Sequence, residues 1–387
     1  MDGEKVKVVE NNEHLGHIVS GLNQEEKNID ERICKGRNSI FKLLGSAFSQ
    51  KCLISPLLKI HLFRTYSCPI TRSGLSVFAL RTTQLEPLAI FHRKTLKSFL
   101  SLSKTATTPA LHFMFGELPM EGKLHRDAFS LFYSVWTNPD SKIYQIVKYL
   151  LSNACDNSHT WAAHIRHITT RYDMMDPVSC LSRDPPAKSE YKEYIATKIT
   201  AYFEKKLRGL AENNSCMEYL NVDLQGLRGK PHPALHNITT TDEVLKCRPH
   251  MKMLCGNLFT YEVKYNQSGT GSPHCRLCGS LCESVSHIVA VCPHFGDVRK
   301  RIFEEFHSVV SLSRNQLSFS DYLCDEKSTT QFILDPSSFN LKKRIHMSDP
   351  ILPQIFKISR DLCFALLKKR TLSLKLLQDN ANLPAEQ

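Results

Sequence analysis

Four of the 14 cysteines in this chain lie in one short stretch, CRLCGSLCESVSHIVAVC, which runs from Cys275 to Cys292. Within it, Cys275, Cys278, His287 and Cys292 have the spacing C-x2-C-x8-H-x4-C. Two cysteines on one tight turn can both direct their sulfurs at one ion, and Gly279 helps the chain turn directly after them. Three thiolates and one imidazole suit Zn²⁺, and four protein ligands leave no position for a catalytic water. We therefore predict a structural zinc site.

The residue types in this stretch leave the ligand set open. Cys282 could replace one of the cysteines, and His274 or His294 could substitute for His287. The competing interpretation is a pair of buried thiols beside an unrelated histidine. The spacing of the two cysteines from the downstream histidine and cysteine favours the metal.

Other motifs that carry chemistry are weak. His164 and His167 lie on one face of a predicted helix, but no carboxylate or cysteine accompanies them in a metal-binding motif. The glycine-rich turn GTGSP lacks the lysine of a phosphate-binding loop, and the chain contains neither a GxSxG nor an HExxH motif. No two aspartates are adjacent, so nothing indicates a two-metal phosphoryl-transfer site. We predict no active site in this chain.

The charge is basic and unevenly distributed. The 387 residues contain 50 Lys and Arg against 38 Asp and Glu, which gives a net charge of +12. Residues 1–31 carry eight acidic and three basic side chains, so the rest of the chain carries +17. Such a surface attracts polyanions, although it could equally serve solubility alone. No signal peptide and no long apolar run is evident after Met1, so we expect an intracellular protein, nuclear or cytoplasmic, with no membrane contact.

Hydrophobic periodicity predicts a mainly α fold. The opening VKVVENNEHLGHIVSG indicates a hairpin whose turn is ENNE, and from Gln24 apolar residues recur at helical spacing. The same pattern predicts further helices over 56–66, 84–102, 124–137, 141–152, 159–172 and 191–211. A charged helix is expected after Cys292, and another basic helix in the tail.

The order of these motifs resembles the C-terminal part of the polyprotein of non-LTR retrotransposons (LINE elements), in the group related to chicken repeats. HLGHIVSGLNQEEKNIDERICKGRNSIFKLLG is similar to the end of the reverse transcriptase palm followed by the first thumb helices. GELPMEGKLHRDAFSLFYSVW and KSEYKEYIATKITAYFEKKLR resemble the helical stretches beyond the thumb, and CRLCG with HIVAVCPHFGDVRKRI resembles the terminal zinc knuckle. The resemblance covers about Val6–Phe306 in the family's order.

The resemblance implies that Cys275, Cys278, His287 and Cys292 are the zinc ligands. It also implies a domain organisation. It implies a palm-end hairpin remnant in 1–23, a thumb-like and post-thumb helical region in 24–174, a linker in 175–188, a helical linker region in 189–246, a zinc-knuckle module in 247–310 and a basic helical tail in 311–387. The family's palm, with its catalytic aspartates, and its endonuclease precede the matching region. We therefore expect no enzymatic activity from this chain on its own.

The expected function is binding of RNA, and possibly DNA, with no small-molecule substrate. Phosphate contacts are predicted for Lys35 and Arg37 on the first helix, and for Arg299, Lys300 and Arg301 directly after the knuckle. Three alternatives stay open: a portion of a split or incompletely defined RNA-directed DNA polymerase, a zinc-containing scaffold for protein interactions, and a decayed element without function.

Overall fold

The computed structural model describes residues 10–14, 16–45, 53–153, 159–214, 217–223, 226–311, 325–339 and 351–381. About 70% of the structure is helical, and one two-stranded antiparallel hairpin lies at its N-terminal end, so the predicted mainly α fold is confirmed. The strands are β1 Asn11–His14 and β2 His17–Ser20. The α-helices of the described residues are α1 Gln24–Leu44, α2 Pro56–Leu62, α3 Cys68–Arg72, α4 Thr82–Phe99, α5 Thr108–Phe115, α6 Met120–Trp136, α7 Lys142–Ser152, α8 Trp161–Arg171, α9 Pro177–Leu181, α10 Lys188–Glu212, α11 Thr241–Leu254, α12 Tyr261–Ser268, α13 Gly296–Ser311, α14 Glu326–Leu334 and α15 Leu352–Ala381.

The N-terminal hairpin turns later than the sequence predicts. Three residues of the expected turn, Asn11, Asn12 and Glu13, belong to β1, and His14 pairs with His17 across the real turn. Gly16 there has φ of +77°, a left-handed conformation that glycine adopts without steric cost. The side chain of Asn28 accepts a hydrogen bond from the Ile18 amide at 3.0 Å and donates one to the Ile18 carbonyl at 2.8 Å, which ties β2 to α1. The predicted position of the turn is therefore wrong, although the hairpin exists.

Helical periodicity predicts the long helices well. On α1, Ile29, Ile40 and Leu44 are buried, as one apolar face requires. Each of the other stretches predicted from periodicity contains a helix, and the tail forms α15. The stretch expected to be a linker, 175–188, contains the short helix α9.

The described residues form two compact units, each drawn from three separate stretches of chain. The first unit takes residues from 1–48, 60–95 and 118–207, and the second from 49–59, 96–117 and 208–387. Composition and turn signals along a sequence do not reveal such an interleaved arrangement. The domain boundaries predicted above stay predictions.

The core of the first unit is aromatic. Tyr133 stacks on Tyr191 with ring centroids 4.8 Å apart, and the indole of Trp136 donates a hydrogen bond to the Arg183 carbonyl at 2.9 Å. α6 and α8 pack together within this unit. Large buried rings of this kind contribute strongly to the stability of a small helical unit.

The second unit is organised around α15, which packs against α11, α13 and α14. Two buried histidines in it each have a partner for Nε2: His250 Nε2 lies 2.8 Å from the Leu334 carbonyl oxygen, and His232 Nε2 lies 3.1 Å from an Asp335 carboxylate oxygen. The cysteine-rich stretch belongs to this unit, between α12 and α13. The packed helices α11, α13, α14 and α15 therefore position the candidate site.

Candidate metal centre

The first pair of candidate ligands lies on a tight turn. The Cys275 amide donates to the Ser280 carbonyl at 2.9 Å, and the Gly279 amide donates to the Cys275 carbonyl at 2.8 Å. Gly279 closes this turn with φ of +77°, where a side chain would be strained although the space around it is open. This backbone geometry brings Cys275 and Cys278 to the same side of the loop.

The second pair lies at the two ends of one π-helical turn. His287 begins this turn, His287–Val291, and Cys292 follows it, with the Cys292 amide donating to the His287 carbonyl at 2.7 Å. The Ser284 hydroxyl accepts a hydrogen bond from the His287 amide at 2.9 Å and so holds the start of the turn. A single π turn is common at functional sites, and here it brings together two residues five positions apart.

The four donor atoms converge on one point. Cys275 Sγ lies 4.0 Å from Cys292 Sγ, Cys278 Sγ lies 3.3 Å from His287 Nε2, and all four atoms lie within 4.8 Å of one another. An ion with sulfur ligands at about 2.3 Å and an imidazole nitrogen at about 2.0 Å would give tetrahedral edges of roughly 3.5–3.8 Å. The cysteines are free thiols. These residues therefore form a group that could hold a metal ion.

Burial favours the neutral forms of three of the four donor groups. It raises the pKa of the Cys275 thiol, raises that of Cys292 to about 12, and lowers the pKa of the His287 imidazole. A metal ion would therefore displace protons from buried thiols, which is the usual coupling of metal binding to deprotonation.

Arg299 supports the loop that carries Cys292. Its side chain is buried, and its guanidinium donates to the Cys292 carbonyl at 2.5 Å, with a longer contact of 3.5 Å to the Ile288 carbonyl. This is a correction to the predicted phosphate contact: α13 turns the residue inward, so its charge is used within the protein. The basic run alone gave no sign of this inward orientation.

A buried ion pair fixes the other side of the loop. Glu283 is fully buried and accepts two hydrogen bonds from Arg370 of α15, at 3.0 and 2.7 Å. It also accepts one from the Tyr261 amide at 2.9 Å, at the start of α12. The guanidinium of Arg276 lies 4.7 Å from the centroid of the Tyr261 ring. Sequence spacing missed this network because its members lie up to 109 positions apart, between Tyr261 and Arg370.

The alternative ligands lie outside the group. Cys282 is half-buried, and burial together with the neighbouring Glu262 raises the pKa of its thiol to about 11. His274 is exposed and contacts the Ser272 hydroxyl. His294 Nε2 lies 2.8 Å from the Ser373 hydroxyl oxygen. The structure thus brings together the four residues of the predicted set.

The remaining basic residues predicted to contact phosphate have different surroundings. Lys35 pairs with Glu31 at 2.5 Å and with Glu13 at 3.6 Å, and the hydrogen bond to Glu31 raises the pKa of its ammonium group. Arg37, Lys300 and Arg301 are exposed.

The C-terminal tail has two basic runs, KKR at 342–344 and KKR at 368–370, and the second is only partly free to contact phosphate. Lys369 pairs with Asp297 at 2.6 Å, and Arg370 is held by Glu283, whereas Lys368 is exposed. The further basic run KKR at 342–344 lies outside the described residues.

A scan against protein-family models and searches of curated proteins and of solved structures each find no match to this chain. Among the described helices, none combines the length and the apolar character needed to cross a membrane.

Proposed function

We propose that this chain is a nucleic-acid-binding fragment of a LINE-type reverse transcriptase in which Zn²⁺, held by Cys275, Cys278, His287 and Cys292, fixes the binding surface. The carrying observation is the convergence of three thiols and one imidazole within 4.8 Å. That donor set suits zinc, and a site with four protein ligands is structural. The binding energy of such sites is about 10–16 kcal/mol and contributes directly to folding.

The exposed side chains near this site support nucleic acid as the ligand. Arg276 lies between the first two cysteines, while Lys300 and Arg301 lie on α13 just after the fourth ligand; all three are exposed. Phe259, 60% exposed, offers an aromatic face to an unpaired base. The guanidinium of Arg276 lies 4.7 Å from the centroid of the Tyr261 ring, and cations combined with aromatic rings are typical of proteins that bind single strands.

The resemblance to the retroelement family supports RNA as the natural partner. It assigns no catalytic aspartate to this stretch, so the proposed role of these residues is to hold template or element RNA, with no catalysis by this chain on its own. DNA binding is expected as well, because backbone contacts by Arg and Lys discriminate little between the two polymers.

The test is binding of a single-stranded RNA to the zinc-loaded chain over a salt series from about 50 to 300 mM, by fluorescence anisotropy. If Arg276, Lys300, Arg301 and Lys368, which are exposed in the second unit, each contact one phosphate, the log–log slope for a single strand is about −3. Chelation and Cys278→Ser should both weaken binding, whereas Cys282→Ser should not. A folded, zinc-loaded chain that does not bind RNA at low salt contradicts the proposal.

A second candidate, a zinc-containing scaffold for protein interactions, is favoured by one observation. Helix α7 exposes Ile143, Ile146 and Tyr149, at 62%, 57% and 67%, on consecutive turns. A row of exposed apolar side chains is typical of interaction surfaces. On this alternative the zinc-loaded chain binds no RNA, and Ile146→Asp abolishes partner binding without changing the fold.

A further inference from the structure

A histidine-lined cavity in the first unit takes no part in the proposed zinc or RNA functions. It measures about 290 Å³ and lies among α4, α6 and α8. Four histidines contribute to its wall. His125 comes from α6, His164 and His167 come from α8, and His159 lies just before α8. Arg81, Glu121 and Arg171 line it as well. No motif in the sequence indicated this cavity, because its residues come from three separate stretches.

The deepest of these side chains has an unused nitrogen. His125 is only 3% exposed; its Nδ1 lies 2.6 Å from the Tyr172 hydroxyl, and its ring centroid lies 5.5 Å from that of His164. Its Nε2 makes no hydrogen bond with any described residue. This nitrogen is not one of the fully buried polar atoms that lack a partner, so it is open to the cavity. A ligand in the cavity can therefore accept a hydrogen bond from it.

The charges around the cavity select an anion. Arg81 is exposed at the cavity, and the N-terminus of α8 contributes the positive end of an 11-residue helix. The carboxylate of Glu121 is neutralised by Arg171, with Nη1 and Oε1 2.5 Å apart. Burial, followed by neighbouring His167 and Arg171, lowers the pKa of His164 to about 4. At neutral pH this imidazole is uncharged and has one N–H to donate.

A metal ion fits these residues less well. Among the described residues, only the cysteine-rich group brings three or more donor atoms of His, Cys, Asp or Glu close enough to share an ion. Because Glu121 is paired with Arg171, it offers no unpaired negative charge to a cation.

We propose that this cavity binds the phosphate group of a small phosphate monoester, with Arg81 and the N-terminus of α8 meeting its charge and His125 and His164 donating to its oxygens. A tetrahedral oxyanion offers acceptors in several directions, which matches donors that come from different helices. The cavity volume lies at the lower end of the range for small-molecule sites, so the organic part of the ligand is small.

The experiment uses the full chain, labelled with ¹³C in its histidine rings, and inorganic phosphate as the probe. Phosphate is titrated against sodium chloride of matched ionic strength, and the ring signals are followed by NMR. We expect saturable shifts of the His125 and His164 signals with a stoichiometry of one, and similar shifts with methyl phosphate.

Two variants with the same charge change separate specific binding from general electrostatics. Arg81→Gln should weaken phosphate binding about tenfold or more, because it removes a charged donor. Arg183→Gln, an exposed arginine elsewhere in the first unit, should leave it unchanged. Equal losses in the two variants, or shifts that chloride reproduces, would overturn the proposal. If a single-stranded RNA shifts the same signals more strongly than methyl phosphate and phosphate competes with it, the monoester assignment is wrong.

Discussion

Replacement of Arg299 by Gln should weaken metal binding although Arg299 is not a ligand. The guanidinium makes a charged hydrogen bond of 2.5 Å to the carbonyl of Cys292, in a buried setting. A hydrogen bond to a charged group contributes about 1.5–3 kcal/mol, and the contact of 3.5 Å to Ile288 adds little. When metal binding and folding of the module are coupled, this loss appears as an apparent metal affinity about 10- to 150-fold lower.

The assay is competition for zinc between the protein and a chelator of known affinity, at one pH and one ionic strength. Arg301→Gln is the matched control, because that side chain is exposed on the same helix and should leave zinc affinity unchanged. With zinc saturating, Arg299→Gln should bind RNA as tightly as the unmodified chain, whereas Arg301→Gln should bind it more weakly. If Arg299→Gln keeps full zinc affinity and loses RNA affinity instead, the structural role assigned to Arg299 is refuted.

Three further predictions concern single residues. Gly36→Ala should lower the thermal stability of the chain, because an added Cβ would lie 2.1 Å from Thr71 Oγ1. In Gly209→Ala the added Cβ meets nothing within 4 Å, so this variant should be more stable by about 0.5–1 kcal/mol in thermal unfolding. Cys282→Ser should leave zinc stoichiometry at one per chain by elemental analysis; a loss of the metal would place Cys282 among the ligands. Hydrogen bonds from the Thr239 and Thr240 amides lower the pKa of Glu243 to about 2. Its stabilisation is therefore complete above about pH 4.5 and lost as the pH falls through 2, so Glu243→Gln should destabilise at pH 7 and make little difference below pH 2 in denaturant titrations.

The candidate metal centre could be predicted from sequence because its geometry is local. Cys275 and Cys278 lie on one turn, and His287 and Cys292 lie at the ends of another, so spacing alone limits where their side chains can meet. Helices such as α1 were predictable for a similar reason: one apolar stripe specifies both the helix and its buried face. The helix α5 was not predicted, because every residue from Pro109 to Phe115 is buried and the helix has no polar face to create an amphipathic period.

Orientation and long-range pairing could not be predicted. The hairpin turn depends on the left-handed conformation of Gly16 and on Asn28, ten positions beyond the strand residue it binds. Glu283 and Arg370 are 87 positions apart, and neither residue type indicates that the two would meet in the interior. The cavity around His125 likewise depends on how α6 and α8 pack, and this is a property of the fold and not of any short stretch.

A net charge in the sequence is therefore a poor measure of the charge a ligand meets. The runs 299–301 and 368–370, together with Arg276, contain seven cations, and if all contacted a single strand the salt slope would be about −5. The structure removes Arg299, Lys369 and Arg370 from that set, because each is engaged by a carbonyl or a carboxylate within the protein. Arg299 and Arg370 tie α13 and α15 to the loop that carries the metal ligands, and Lys369 ties α15 to α13. A count of charges would assign these residues to RNA, but in the structure they stabilise the proposed RNA-binding surface. The measured slope should therefore approach −3 and not −5.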